Sequence, residues 1–225
     1  EITYGDWSSD VCSSDLEALG AREVLAKATS AIRSETNGSE LVDRIEREAG
    51  VEIEVIDGRE EARLIFGAVR ASVVIAPAPA LGIDIGGGSV ELMVGDAGGL
   101  ADAISLPLGV GRLTAECVTC DPPDKTDRRR LTERIAAALD GALAPLLALG
   151  PRSAIGTSGT LNDLVRMAVA LDADETPSTT NALTATRAQL EALHDAAQRI
   201  ARPGKHFESV ISAAHAGNPH NRATR

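Results

Sequence analysis

Residues 82–91 read Gly-Ile-Asp-Ile-Gly-Gly-Gly-Ser-Val-Glu, and this stretch is the strongest signal in the sequence. Residues 81–85 form a short apolar run with an acidic residue, Asp84, near its end, which is typical of a buried strand. The glycines that follow let the backbone approach a ligand closely and point successive N–H groups at an anion such as phosphate. The carboxylate of Asp84 can bind Mg²⁺, which prefers one or two carboxylates together with phosphate oxygens as ligands. A glycine-rich hairpin with a capping aspartate is the alternative.

A second glycine-containing stretch, Gly156-Thr157-Ser158-Gly159-Thr160, lies between a predicted strand and a predicted helix. Small residues in front of a helix N-terminus are typical of a site for an anion or a nucleotide. An ordinary N-cap loop is the alternative and would explain Ser158 or Thr160 well. Two such stretches on one α/β chain favour the phosphate interpretation.

The remaining chain alternates strand and helix patterns. Residues 23–33 are predicted to start as a buried strand and to end in a turn of small residues, and residues 51–55 alternate with period two. Pro77-Ala78-Pro79 is predicted to be a linker, since proline continues neither element. Further elements follow from periodicity: strands at 90–94, 104–108 and 153–157, a helix after Pro122-Pro123-Asp124 with apolar residues from Leu131 to Leu146, and helices at 161–171 and 184–201. This order predicts the α/β class.

Two pairs of residues have the spacing of a helix capping box: Asn37 with Glu40, and Asp57 with Glu60. We expect Gly50 to end the first of these helices. If Glu60 takes the reciprocal capping position in the second helix, Glu61 is left without a structural duty. Acidic residues in a first turn usually serve the helix dipole, so the residues alone leave open whether Glu61 is a catalytic base.

The composition excludes several classes of function. The 225 residues carry 22 Lys and Arg against 33 Asp and Glu, a net charge of −11, so no excess of positive charge is available for nucleic acid or an anionic membrane. No apolar run approaches the roughly 20 residues that span a bilayer, and no basic-led signal segment opens the chain. Three cysteines make no disulfide framework. We expect a cytoplasmic globular protein without nucleic-acid or membrane partners, and we leave a homodimer open.

The two ends differ from the middle. Residues 1–16 hold Cys12, the single Trp and the single Tyr of the sequence, and the part from Asp6 onward resembles the translation of a sequencing adapter, so we expect this segment to be non-native. Residues 203–225 contain three of the four histidines, at spacings that match no tight metal site, and we expect a frameshifted or disordered tail. Cys117 and Cys120 form an isolated C-x-x-C pair, which we interpret as two residues packed inward from a helix.

The combination of motifs resembles the exopolyphosphatase / guanosine pentaphosphate phosphohydrolase (Ppx/GppA) family. The resemblance covers roughly residues 22–200 and lies in the stretches AKATSAIR (26–33), GVEIEVIDGREEARLIFGAV (50–69), LGIDIGGGSVELMVGD (81–96), SLPLGVGRLTAECVTCDPP (105–123) and AIGTSGTLNDLVRMA (154–168). It implies a two-lobed RNase H-like fold of the actin-like ATPase / acetate and sugar kinase superfamily, with an active site in the cleft between the lobes. Residues 17–76 would belong to the first lobe and residues 77–202 to the second.

The resemblance also implies roles for individual residues in a Mg²⁺-dependent hydrolysis of terminal phosphoanhydride bonds. Glu61 would be the general base that orients water, Asp84 would bind the metal with Glu91 as a second acidic group, and Arg33 would face the substrate phosphates. The implied phosphate-binding residues are Gly86, Gly87, Gly88, Ser89, Gly156, Thr157, Ser158 and Gly159.

One departure from the family pattern limits what we expect of this chain. The family opens with a phosphate loop of the type D-x-G-S-N-S, which residues 1–30 do not match. We therefore expect an incomplete first lobe with unpaired strand edges, and a 225-residue chain that is poorly stable and inactive. Release of orthophosphate from polyphosphate is the expected activity, and hydrolysis of guanosine pentaphosphate (pppGpp) is the alternative. An inactive phosphate- or nucleotide-binding module is the alternative from another class.

Overall fold

The described part of the chain contains six strands and eight helices, which we number in chain order. The computed structural model describes residue 18, residues 20–75, residues 77–171 and residues 183–200, the last of these with side chains up to 197. The strands are β1 Ala26–Ala28, β2 Ile53–Val55, β3 Ala80–Ile85, β4 Val90–Asp96, β5 Gly99–Leu106 and β6 Ser153–Thr157. The helices are α1 Ser30–Ser34, α2 Gly38–Ala49, α3 Gly58–Ser72, α4 Val110–Cys117, α5 Lys125–Leu139, α6 Leu143–Ala148, α7 Ser158–Ala170 and α8 Arg187–Ile200.

The chain divides into two compact units, Glu1–Leu64 and Ile65–Arg225, with the division inside α3. The lobe boundary predicted at residues 76/77 stays a prediction. The predictions for residues 1–16 and for the histidine-containing tail at 203–225 lie outside the described residues.

The first unit is built around a parallel pair of short strands, in which Ala26 of β1 pairs with Ile53 of β2. The strand predicted at the start of residues 23–33 is three residues long and half-buried instead of buried, and Leu25 just before it is 76% exposed. A short helix, α1, follows where a turn was expected. Gly50 ends α2 in the left-handed conformation, as predicted.

The capping boxes are corrected by the structure. Asn37 has φ −99° and ψ 12° and makes no capping hydrogen bond through its side chain, because the chain enters α2 directly from the turn after α1 and not from an extended residue. Asp57 does cap α3: its Oδ1 accepts from the backbone N–H groups of Arg59 and Glu60, at 2.9 and 2.8 Å. The Glu60 carboxylate is paired with Arg63 in the next turn.

The second unit contains a four-stranded mixed sheet in the order β5-β4-β3-β6. β3 is antiparallel to β4 and parallel to β6, and β4 is antiparallel to β5. The strands predicted at 81–85, 90–94 and 153–157 are confirmed, whereas the strand predicted at 104–108 starts earlier, at Gly99, and ends at Leu106, just before Pro107. Six of the seven residues of β4 are buried, as expected for an inner strand of a sheet that is covered on both faces.

The main core lies on one face of this sheet. Residues at every second position of β3 and β4 point to this face and pack against α4, α5 and α6. The buried members of the cluster are Val90, Leu92, Val94, Leu108, Leu113 and Leu146. On the other face Met93 is fully buried, and a Cβ added to Gly95 would lie 2.6 Å from the ring of Phe66 on α3.

The long helix predicted after Asp124, with apolar residues as far as Leu146, is interrupted. α5 ends at Leu139, Gly141 has φ 73°, and α6 begins at Leu143. A left-handed residue cannot continue a helix, so the apolar spacing of three and four persists through the break while the backbone does not. None of the helices in the described residues is long and apolar enough to cross a membrane.

Candidate functional site

Four polar side chains form a row across the sheet of the second unit, which we call the polar row: Ser105, Glu91, Asp84 and Thr157. In the strand register Asp84 lies opposite Glu91 on β4 and opposite Thr157 on β6, and Glu91 lies opposite Ser105 on β5. Paired positions project to the same face of a sheet, with Cβ atoms of antiparallel neighbours about 4.5–5.5 Å apart. The row therefore lies on the face opposite the main apolar core, with two carboxylates in its middle.

Hydroxyl groups hold both carboxylates of the polar row from the outer strands. The Ser105 hydroxyl donates to Glu91 Oε1 at 2.7 Å, and the Thr157 hydroxyl donates to Asp84 Oδ2. Glu91 is only 1% exposed, whereas Asp84 is half-buried near the end of β3. The structure thus brings together the two residues that the sequence predicted as metal ligands and fixes the orientation of each.

Residues 86–89, which we call the glycine loop, connect β3 to β4 directly beyond Asp84. The N–H of Gly86 donates to the carbonyl of Ser89 at 3.0 Å, which closes the turn. The loop carbonyls face the start of α4: Gly86 O accepts from Val110 N at 2.9 Å, and Gly87 O accepts from Arg112 N at 3.1 Å. The predicted phosphate loop therefore exists as a formed turn that a neighbouring helix contacts.

Residues 156–159, which we call the glycine junction, are not a loop. Gly156 and Thr157 end β6, and Ser158 and Gly159 are the first residues of α7. Ser158 has φ 78°, in the left-handed region that favours glycine, and this residue makes the whole change of direction from strand to helix. Its hydroxyl accepts from Leu161 N at a long 3.4 Å.

In the first unit the structure brings Arg33 and Glu61 together. The guanidinium of Arg33 donates to Glu61 Oε2 from Nη1 and Nη2, at 3.3 and 3.4 Å, and Nη1 also donates to Ile56 O at 2.6 Å. The Glu61 side chain is 13% exposed and that of Arg33 27%. The capping argument left Glu61 without a structural duty, but in the structure its carboxylate forms an ion pair with Arg33. The implied role of Arg33 toward phosphate stays a prediction.

The neighbouring Glu60 has a different environment on the same turn of α3. Its carboxylate accepts from Arg63 Nε and Nη2 at 2.6 and 2.7 Å on the protein surface. The hydrogen bond from Arg63, together with its positive charge, lowers the pKa of the Glu60 carboxyl. The two adjacent glutamates are therefore distinguished by their arginines and by burial, which the sequence could not show.

Three residues around the glycine loop were not singled out by the sequence analysis. Ser105 fixes Glu91, the buried Gly109 precedes α4, and Arg112 Nε donates to Gly88 O at 3.0 Å. The signal that could have found the last two is the string Gly109-Val110-Gly111-Arg112 just after a strand, since closely spaced glycines often mark a close approach of backbones.

A second group of metal-type ligands lies in the second unit, at the start of α5: Cys120, Asp124 and Asp127. Asp124 is the N-cap of α5, and the buried Asp127 accepts hydrogen bonds from the backbone N–H and the hydroxyl of Thr119, both at 3.0 Å. Hydrogen bonds from Thr119, and further ones from Cys120, lower the pKa of the Asp127 carboxyl. These contacts explain the group as a structural one, in which Asp127 of α5 holds the segment that follows α4; we call it the Asp127 tie. Cys120 is exposed and lies beyond the end of α4, so the interpretation that both cysteines pack inward is wrong for it.

The fold is of the α/β class, as predicted, and comparison with known proteins assigns it to a family. The model of the Ppx/GppA phosphatase family matches residues 12–210, and the chain belongs to this family. The family resemblance and the fold class inferred from the sequence are thereby confirmed.

Curated relatives agree with this assignment. Exopolyphosphatase 1 of Mycobacterium leprae (strain TN) is 36% identical over 183 residues, which cover 81% of this chain and 52% of the relative. Exopolyphosphatase 1 of Mycobacterium tuberculosis (strain ATCC 25618 / H37Rv) is 37% identical over 167 residues, which cover 74% of this chain and 48% of the relative. The chain thus spans about half the length of the curated relatives it matches.

Solved structures show the same fold. An exopolyphosphatase from Cytophaga hutchinsonii is similar with a TM-score of 0.70 and 28% identity, covering 92% of this chain and 69% of that one. The Ppx/GppA family member of Aquifex aeolicus is similar with a TM-score of 0.66 and 24% identity, with coverage of 92% and 69%.

Proposed function

We propose that this chain supplies residues for the hydrolysis of terminal phosphoanhydride bonds, with release of orthophosphate from polyphosphate. The observation that carries the proposal is the pair of carboxylates in the polar row, Asp84 and Glu91, placed next to the glycine loop on one sheet. Carboxylates beside a turn of glycines suit a phosphate chain together with a divalent cation. Two relatives that are named exopolyphosphatases support polyphosphate as the substrate.

In this proposal, backbone N–H groups of the glycine loop and the glycine junction bind the phosphate. In the glycine loop, the N–H groups of Gly87, Gly88 and Ser89 are available to phosphate oxygens, and a Cβ at Gly87 would meet nothing within 4 Å. In the glycine junction, Ser158 and Gly159 form the N-terminus of a 13-residue helix, where the dipole favours an anion. Thr157 serves differently, since its hydroxyl holds Asp84.

The donor set of the polar row fits Mg²⁺. Asp84 and Glu91 are hard oxygen ligands at directly paired positions, and Ser105 and Thr157 fix their carboxylates from outside. Mg²⁺ is usually bound by one or two carboxylates and by substrate phosphates, so Asp84 and Glu91 would hold it. When bound, the ion would neutralise charge that builds up on the phosphate oxygens.

Glu61 is the general base of the proposed reaction. Its carboxylate orients a water molecule and accepts a proton from it as the water oxygen bonds to the terminal phosphorus and the bridging P–O bond breaks. Arg33 fixes this carboxylate in one orientation, because its guanidinium is itself anchored on Ile56 O at 2.6 Å. A positioned base contributes about 10²–10⁴-fold to rate in such reactions.

The test compares Glu61→Gln with the matched control Glu60→Gln, which changes the neighbouring surface glutamate on the same helix turn. Orthophosphate release from polyphosphate and from pppGpp is measured with Mg²⁺ and with EDTA. Because the chain spans about half of its relatives, the assay is made on the chain and on a chimera in which the aligned 167 residues of the Mycobacterium tuberculosis exopolyphosphatase 1 are replaced by the matching part of this chain. We expect Glu61→Gln to lose about 10²-fold or more in rate, and Glu60→Gln to stay near the parent.

The other possible outcomes distinguish between the hypotheses for the function of this chain. Faster turnover of pppGpp than of polyphosphate would show that pppGpp is the preferred substrate. A folded chimera that binds polyphosphate and releases no phosphate would leave an inactive binding module. Equal turnover of the Glu61 and Glu60 variants would contradict the role of Glu61 as the general base. Undiminished activity in EDTA would contradict the requirement for a metal ion.

A further inference from the structure

The start of α4 contacts three consecutive carbonyl groups of the glycine loop. Gly86 O accepts from Val110 N at 2.9 Å, Gly87 O from Arg112 N at 3.1 Å, and Gly88 O from Arg112 Nε at 3.0 Å. Two of these donors are backbone N–H groups in the first turn of α4, which have no acceptor within their own helix. The loop and the helix N-terminus therefore satisfy each other's backbone groups.

This pattern determines where the loop N–H groups point. Each peptide unit is planar and trans, so the N–H of a residue points away from the carbonyl of the residue before it. With the carbonyls of residues 86–88 directed at α4, the N–H groups of Gly87, Gly88 and Ser89 point away from α4. Within the described residues, these three N–H groups donate to no protein acceptor. Successive N–H groups on one side of a turn are the geometry that binds an anion.

Close approach of two backbones makes this contact possible. A Cβ added at Gly109 would lie 2.4 Å from backbone atoms of Gly87 and Gly88, and one at Gly111 would lie 3.2 Å from Gly87 O. Arg112 is 25% exposed, and its Nη1 lies 3.9 Å from Glu116 Oε1, so the guanidinium is held from two sides. Residues 109–112 thus combine small residues at the contact with one side chain that reaches the last loop carbonyl.

We propose that segment 109–112 positions the glycine loop for phosphate, and that Arg112 is a positioning residue that acts through Gly88 O without touching the substrate. The inference rests on the proposed function, because it assigns the loop N–H groups to phosphate. It adds that the binding shape of the loop is imposed by α4 and is not a property of the glycines alone.

The test uses the ¹⁵N,¹³C-labelled 225-residue chain and inorganic tripolyphosphate with Mg²⁺ as the probe. Arg112→Ala removes the Nε bond to Gly88 O and leaves the backbone bonds of residue 112. Arg134→Ala is the matched control: Arg134 donates to Glu116 and to another backbone carbonyl, Pro107 O, at 3.2 and 3.3 Å, but not to the loop. Two readouts are taken, the ligand-free spectra of the loop and the dissociation constant for tripolyphosphate.

In the ligand-free spectra, Arg112→Ala should shift the Gly88 carbonyl carbon and the Ser89 amide, which belong to one peptide unit, and should lower the order parameters of both residues. Arg134→Ala should leave these signals in place. In the titration, Arg112→Ala should weaken tripolyphosphate binding about tenfold with no more loss of thermal stability than Arg134→Ala. If Arg112→Ala and Arg134→Ala lower the melting temperature equally and only Arg112→Ala weakens binding, general destabilisation does not explain the weaker binding.

The two proposals fail separately. Unchanged order of Gly88 and Ser89 in Arg112→Ala, or equal weakening of binding by both variants, would overturn the positioning role. Absence of any shift of loop amides when tripolyphosphate is added to the wild-type chain would contradict the proposed function, and the ligand-free spectra would still decide whether Arg112 orders the loop.

Discussion

The glycine loop and the glycine junction have similar compositions and are held in different ways. The loop joins two antiparallel neighbours and receives hydrogen bonds from Val110 and Arg112 of α4. The junction passes from β6 straight into α7, and Ser158 makes the turn with φ 78°. A Cβ at Gly159 would meet nothing within 4 Å, whereas Gly109, opposite the loop, has no room for one. A glycine is therefore needed at position 109 so that the two segments can pack closely at the loop, whereas the space around Gly159 would also accept a larger residue.

The largest effect should come from filling the contact at the loop. We expect Gly109→Ala to cost about 3 kcal/mol of unfolding free energy, because the added methyl would lie 2.4 Å from backbone that cannot rotate away. Gly87→Ala, on the other side of the same contact, should change stability by no more than about 1 kcal/mol, since its Cβ faces open space. Urea unfolding of both variants measures the difference, and equal costs would contradict the asymmetry.

The next effect concerns the link between the junction and the polar row. Thr157→Val keeps the shape of the side chain and removes the hydroxyl that donates to Asp84. A hydrogen bond to a charged group contributes more than a neutral one, so we expect a loss of about 1–2 kcal/mol. Thr132→Val on α5 is the control, because that exposed hydroxyl donates to the carbonyl of Arg128 in its own helix. A cost no larger than in the control would show that the junction does not hold Asp84.

A smaller effect should separate backbone strain from side-chain contacts at Ser158. Ser158→Gly and Ser158→Ala both remove the hydroxyl, but only glycine adopts the observed φ of 78° freely. The glycine variant should therefore be more stable than the alanine variant by about 1 kcal/mol. Thermal unfolding of the pair measures the difference, and a more stable alanine variant would mean that the junction relaxes to another conformation.

The smallest expected effect is the pH-dependent part of the stability at Asp127, which lies outside both glycine segments and provides a titrating reference. Hydrogen bonds from Thr119 lower the pKa of this carboxyl below its ordinary value of 3.8. A carboxyl whose pKa is lower in the folded state adds stability above its unfolded pKa, and this stability is lost as the pH falls through the folded value.

The stability difference between wild type and Asp127→Asn should therefore be constant from pH 7 to pH 5 and should shrink below about pH 4. Urea unfolding at each pH measures it. Thr119→Val, which removes one of the donors, should reduce the same pH dependence. A difference that does not depend on pH would show that the charge on Asp127 contributes nothing to the tie.

Much of the second unit could be predicted from its sequence, because its strands carry local patterns. Leu81, Ile83 and Ile85 alternate with Gly82 and Asp84, and the structure places the first three against the core and Asp84 on the opposite face. The interruption at Gly141 was missed because the apolar spacing continues through it. In the first unit the capping box at Asn37 failed, since spacing alone does not show whether the first residue is extended.

The candidate site could be predicted in its residues but not in their partners. Acidic, glycine and hydroxyl residues at strand ends mark Asp84, the glycine loop and the glycine junction on their own segments. Ser105 was missed because a serine within an apolar strand carries no local signal, and Arg112 because its partner is a backbone carbonyl 24 residues earlier. The role of Glu61 depends on Arg33, which lies 28 residues away.

The α/β class, the family, and most of the strands and helices of the second unit are predictable without the structure, since each follows from periodicity or from motifs of a few neighbouring residues. The contacts between side chains from distant segments are known from the folded chain: Ser105 with Glu91, Thr157 with Asp84, and segment 109–112 with the glycine loop. The physical reason is that local patterns fix the direction of a side chain from its own strand or helix, whereas its partner depends on strand order and register. Those are set by burying the whole sheet at once, between residues as far apart as the 73 positions that separate Asp84 and Thr157.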